Sequence, residues 1–142
     1  MSRIYWDSML FIYYIEDNPE YAQRVNEIFD LIAERKDILC TSVLSMGEVL
    51  AKPKQLGAES AVSLIRDFFL KSGRVELIPF TANAAEQFSM IRATTKLSPA
   101  DAIHLATAIE SDVDIFITHD GQLQKLKMPG IPFITGLDLK LF

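Results

Sequence analysis

The sequence predicts an α/β domain, a three-layer α/β/α sandwich around a mostly parallel central sheet. Two observations lead to that class. Short apolar runs (Arg3-Ile4-Tyr5-Trp6, Ile38 to Thr41, Val75 to Ile78, Asp114 to Thr118, Pro132-Phe133-Ile134) alternate with longer stretches of helical period, the pattern of strand–helix–strand units. Hairpin signals between the runs are few, so the strands are expected to run parallel, with helices on both faces. No composition shift divides the chain, and residues 1–142 are expected to form one domain.

Arg3 to Trp6 is too apolar and too aromatic for a surface loop and reads as the first strand. Ser8 to Glu16 follows as a helix, broken by Asn18-Pro19. Tyr21, Val25, Ile28, Phe29 and Ile32 then recur at the spacing of an amphipathic helix that ends near Arg35-Lys36. Ile38 to Thr41 is the second strand. A helix from about Ser42 carries Met46, Val49 and Leu50 and is expected to stop at Lys52-Pro53. After Gly57, the residues Ala61, Val62, Ile65, Phe68 and Phe69 form another apolar stripe, closed by Gly73. Val75 to Ile78 is the third strand, and Thr81 to Thr95 a helix with Ala85, Phe88 and Ile91 inward. Ser98-Pro99-Ala100-Asp101 opens the next helix, Asp114 to Thr118 is the fourth strand, and Pro132-Phe133-Ile134 the last.

Composition narrows the function without choosing it. A chain of 142 residues, 49% of them apolar, buries roughly two-thirds of its unfolded surface and needs neither a disulfide nor a structural metal. The lone cysteine, Cys40, lies in an apolar stretch and reads as a small buried hydrophobe. The longest apolar run, Met9 to Ile15, is far short of the ~20 residues that span a membrane. Asp7 interrupts the start of the chain too early for a signal peptide, so the cytosol is the default compartment. Nineteen acidic against fourteen basic residues give a net charge of −5, an unusual balance for a nucleic-acid enzyme. Either the partner is not nucleic acid, or part of the acid is a cluster whose positive charge comes from a metal.

In open α/β sheets ligands bind beyond the carboxyl ends of the strands. Asp7 directly follows the first strand and Asp120 lies two residues past Thr118. Asp101 sits in the first turn of its helix, and Glu48 one turn into the helix after the second strand, within reach of the same rim. Four converging carboxylates repel one another. A hard divalent cation, Mg²⁺ or Mn²⁺, removes that repulsion and prefers oxygen ligands. Each acid also has an ordinary account. Asp7-Ser8 can start a helix, Ser98 to Asp101 looks like a capping box with Pro at the first position, Asp120-Gly121 is a turn signal, and Glu48 fits an exposed helix face. The placement of all four together is what favours a site.

These pieces resemble the PIN-domain family, particularly its VapC-like branch of toxin ribonucleases from toxin–antitoxin pairs. The resemblance rests on Ile4-Tyr5-Trp6-Asp7-Ser8, on Ser42 to Leu50 with Gly47-Glu48-Val49, on Leu97 to Ala108 around Asp101, and on Phe116-Ile117-Thr118-His119-Asp120. The Asp101 stretch is the most specific, and the four occur in the family's order across nearly the whole chain. The resemblance implies Mg²⁺- or Mn²⁺-dependent hydrolysis of RNA phosphodiester bonds, with Asp7, Glu48, Asp101 and Asp120 as the catalytic and metal-binding acids. Thr118 matches the family's small hydroxyl residue beside the fourth acid, and Ser8 is a similar auxiliary. A homodimer and a small antitoxin partner are further implications. His104 and His119 are less typical and read as packed or hydrogen-bonding residues. Lys52, Lys54 and Lys96 are the candidate cations for holding RNA, the alternative being that they are simply solvated. Two rival readings are a PIN fold serving as a non-catalytic interaction or RNA-binding scaffold, and a response-regulator-like phosphate acceptor. The latter needs an acidic pair on the first strand and a lysine closing the last, which Trp6-Asp7 and Pro132-Phe133-Ile134 lack.

Overall fold

The computed structural model describes residues 1–140. Strands β1 (Arg3–Trp6), β2 (Ile38–Ser42), β3 (Glu76–Ile78), β4 (Ile115–Ile117) and β5 (Phe133–Thr135) form one sheet in the order β3-β2-β1-β4-β5. Every pairing is parallel. The helices are α1 (Ser8–Ile15), α2 (Ala22–Glu34), α3 (Val43–Gln55), α4 (Glu59–Lys71), α5 (Ala82–Thr94), α6 (Pro99–Glu110) and α7 (Gly121–Gln124).

The two-residue period of the strands sorts the side chains into two cores. Ile4, Trp6, Leu39 and Ile117 face α1 to α4, where they meet Phe11, Val25, Ile28, Val49, Ile65 and Phe69. Tyr5, Cys40 and Phe116 point the other way, onto Ile91 of α5 and Leu105 and Ala106 of α6. The three-layer sandwich expected from the alternation is therefore the observed architecture. Cys40 is the buried hydrophobe its surroundings implied, and burial pushes its thiol up to about 12. Among the described residues no helix is long and apolar enough to cross a membrane.

Two local expectations are corrected. The third helix does not stop at Lys52-Pro53 but runs to Gln55. Pro53 stands in the final turn, where it has no N–H to give the carbonyl four residues earlier, yet the helix continues two residues past it. Gly57, at φ 67°, closes that turn with its N–H on Lys54 O, while the Ala58 N–H reaches Pro53 O, the paired bonds of a glycine-terminated helix end. The turn expected at Asp120-Gly121 is the start of α7, a single short helix capped by Asp120.

The strand order places the site. β1 is central, with β2 on one side and β4 on the other, so the chain leaves it in one direction and returns on the opposite side. The crevice beyond the carboxyl ends of β1 and β4 is the position where such sheets bind ligands.

Candidate active site

Asp7 stands at that crevice. Its backbone N–H bonds to Ile117 O at 3.2 Å, locking the end of β1 to the end of β4. Its carboxylate has two tasks: Oδ1 accepts from Met9 N at 3.2 Å, capping α1, and Oδ2 accepts the Thr118 hydroxyl. Thr118 Oγ1 in turn accepts from Asp120 N at 3.1 Å. The first and fourth acids are thus tied through one buried threonine. The capping account of Asp7 holds, and the same side chain stands at the crevice beyond β1 and β4.

Glu48 projects from α3 toward α1 and α6. Its Oε1 accepts from Ser8 Oγ at 2.6 Å and from His104 Nε2 at 3.0 Å. His104 is buried, and its Nδ1 lies 2.6 Å from the hydroxyl of the fully buried Tyr5. The Tyr5 oxygen accepts from Ser42 N at 3.2 Å, so its own hydrogen needs an acceptor, and His104 Nδ1 supplies it. With Nδ1 accepting, the ring N–H is the one on Nε2, facing Glu48; this tautomer is assigned from the hydrogen-bond network. His104 is the packed hydrogen-bonding residue expected, but its partner is one of the four acids. The i+3 spacing from Asp101 was the available signal. The link to Tyr5, 99 positions earlier, has no local trace.

Asp101 lies in the first turn of α6, where Ser98 Oγ accepts from its backbone N–H at 3.2 Å. Asp120 is exposed and caps α7, its Oδ1 accepting from Gln122 N at 2.8 Å.

Electrostatics joins the acids. Burial holds the Asp7 carboxyl above its ordinary range, against the Thr118 hydrogen bond, and the charge of Asp101 adds to the rise. Asp101 is raised too, first by partial burial and then by the charges of Asp120 and Glu48. Glu48 is held low, chiefly by the His104 hydrogen bond and also by Ser8. No lysine or arginine pairs with any of the four among the described residues. Lys52 instead lies 3.7 Å from Glu16, and Lys54 and Lys96 are exposed.

The donor set is one of carboxylate oxygens, which suits a hard cation. Among the described residues no three of the His, Cys, Asp and Glu side chains stand close enough to make a ready-built metal cage. That spacing fits Mg²⁺ all the same, because Mg²⁺ keeps several waters and needs only one or two direct carboxylates. Mutual repulsion without a cationic partner is the second feature that fits.

The sequence model of the PIN domain matches residues 4–128. This chain belongs to the PIN-domain family. A search of curated proteins finds no match. Solved structures with the same fold include VapBC2 from Rickettsia felis bound to a promoter DNA fragment, at a TM-score of 0.75 and 15% identity over 94% of this chain and 98% of that one. DNA-bound VapBC from Salmonella typhimurium gives 0.72 and 24%, over 96% and 99% of the two chains. VapC20 from Mycobacterium tuberculosis, a toxin that cleaves the sarcin–ricin loop, gives 0.67 and 17%, over 83% and 90%.

Proposed function

We propose that the protein is a Mg²⁺- or Mn²⁺-dependent endoribonuclease, the toxin of a toxin–antitoxin pair. The observation that carries this reading is the set of four acids around the strand-end crevice, in which Asp101 is coupled electrostatically to Asp7, Asp120 and Glu48 and no lysine or arginine pairs with them among the described residues, in a chain of the PIN family. Membership supports nuclease chemistry. The complexes among the structural relatives support a small antitoxin as partner, and a homodimer is proposed with it.

Asp7 and Asp101 would hold the cation, with Asp120 and Glu48 completing its surroundings or orienting water. A divalent ion held there would supply a water of lowered pKa and positive charge for the phosphate. The remaining work belongs to the protein. Thr118 and the Met9 N–H fix the Asp7 rotamer, so its carboxylate needs little reorganisation to meet a ligand. Ser8 and His104 do the same for Glu48 and keep it ionised. Burial of Asp7 limits water at that end of the site. The acidic surface disfavours non-specific phosphate binding, so RNA is taken up by specific contacts rather than by a basic field.

The test is cleavage of single-stranded RNA by purified protein in Mg²⁺ or Mn²⁺, with EDTA as the control. Metal-dependent scission abolished by EDTA is expected. Cleavage undiminished in EDTA contradicts the metal mechanism, and no cleavage with either ion contradicts the activity.

A further inference from the structure

Next to the acids lies a second feature that the cleavage chemistry does not use. Tyr13, Tyr21 and His119 form a cluster of rings. His119 sits edge-on to Tyr21 with centroids 4.3 Å apart and to Tyr13 at 5.4 Å, and Tyr13 lies 4.9 Å from Tyr21. The Tyr13 hydroxyl is 2.7 Å from His119 Nδ1, which fixes the imidazole in place. His119 Nε2 makes no hydrogen bond among the described residues. Tyr21 and His119, with Arg24, Gln124, Leu137 and Asp138, line a cavity of about 480 Å³. That size falls within the ~300–1,000 Å³ of small-ligand clefts.

The cavity is physically joined to the acids. His119 immediately precedes Asp120. Gln124 donates from Nε2 to Thr118 O at 3.1 Å, on the residue whose hydroxyl holds Asp7. Gly136 makes room for that amide, since a Cβ there would fall 2.7 Å from the Gln124 side-chain nitrogen and oxygen. The Arg24 guanidinium is committed elsewhere: Nε donates to Leu137 O at 2.7 Å, and another nitrogen reaches Glu27 at 3.1 Å. Arg24 therefore builds the wall and is not a free phosphate anchor. What remains to meet a ligand is aromatic surface, the Gln124 amide oxygen, the His119 Nε2 and the Asp138 carboxylate.

We propose that this cavity is a nucleobase subsite, taking a base of the RNA next to the scissile phosphate by stacking on Tyr21 with the edge-on His119 ring at its side, the base donating its N–H groups to Gln124 and Asp138. The proposal rests on the ribonuclease reading for its substrate. Aromatic rings suit any base, because every base has a π-face. The acceptors favour an edge with adjacent N–H donors. Guanine, with N1–H and N2–H₂ side by side for the two oxygens of a carboxylate, is the best match, and uracil the poorest. An acidic nuclease that gains little from phosphate contacts needs such a handle on its substrate.

The experiment is NMR titration of the wild-type protein in EDTA with GMP, AMP, CMP, UMP and ribose 5-phosphate, following the Tyr21 and His119 ring signals. Shifts at both rings are expected, strongest with GMP and absent with ribose 5-phosphate. Tyr21→Leu should weaken GMP binding about tenfold, as loss of one stacking partner does, and Tyr21→Phe should retain it. Silence of both rings with every nucleotide, equal shifts with ribose 5-phosphate, or indifference to Tyr21→Leu would each overturn the subsite. The outcome is separable from the cleavage test. Nucleotide binding without RNA cleavage leaves the subsite standing and removes the nuclease reading, whereas cleavage with silent rings does the reverse.

Discussion

The Thr118 hydroxyl donates to the buried Asp7 carboxylate, and the same oxygen accepts from the Asp120 backbone N–H. One side chain thus holds the first acid and places the fourth. Thr118→Val removes the donor and acceptor while keeping the shape, and leaves a buried carboxylate short of a partner. Stability should fall by roughly 1–3 kcal/mol in urea denaturation, and RNA cleavage should fall with it. Thr118→Ser keeps the hydroxyl and should recover most of both. A valine variant as stable and active as wild type would show the bond to be incidental.

Removing an acid should cost far more activity than removing the histidine behind it. Asp7→Asn and Asp101→Asn should each slow RNA cleavage by about two orders of magnitude or more, the loss typical of a group that stabilises charge in the transition state. His104→Ala should slow it less, since it acts by holding Glu48, though leaving the buried Tyr5 hydroxyl without its acceptor should destabilise by roughly 1–3 kcal/mol. Rates compared among variants with intact circular dichroism decide this. If His104→Ala is the worst of the three, a histidine-centred mechanism takes precedence.

The acids should also separate by pH. Glu48 is held below its ordinary value by His104, so its contribution to stability is present above the usual carboxylate range and lost as pH falls through its lowered pKa. Asp7 and Asp101 are raised, first by burial, so the folded state favours their protonated forms. Their effect runs the other way: it is favourable below the ordinary carboxylate range and lost as pH rises through their raised values. Metal-free Glu48→Gln should therefore be less stable than wild type at neutral pH and approach it in acid. Asp7→Asn should be the more stable of that pair at neutral pH, its advantage shrinking in acid as wild-type Asp7 takes up a proton. Melting temperatures in EDTA from about pH 3 to about pH 8, a range that brackets the titration of carboxyls, test both signs. Parallel curves for the two variants would contradict the assignment.

Much of this was legible in the chain. Alternating apolar runs and helical stripes marked the sheet and its covering helices, because burial writes a period into the sequence. The positions of Asp7, Glu48, Asp101 and Asp120 relative to strand ends were readable for the same reason. The miss at Pro53 came from treating proline as a stop, whereas α3 carries it two residues before its end at the loss of the one bond its N–H would have made. The short α7 hid behind an ordinary Asp-Gly turn signal. The Tyr5–His104–Glu48 chain and the Thr118 bridge join residues 56 to 111 positions apart. Such contacts are set by tertiary packing, and nothing local encodes them.

In the proposed divalent-cation site, the coupled carboxylates carry charge that is costly until a cation meets it. Melting wild type and Asp7→Asn side by side, in EDTA and in millimolar Mn²⁺, tests it most directly. Asparagine keeps one oxygen to cap α1, while its Nδ2 faces Thr118 as a donor in place of the accepting Oδ2, so the substitution removes the charge and reverses that one bond. Asp7→Asn should be the more stable protein in EDTA, and Mn²⁺ should reverse the order by binding only folded wild type. A variant that melts below wild type in EDTA, or a wild type indifferent to Mn²⁺, would contradict it and leave Asp7 as a helix cap.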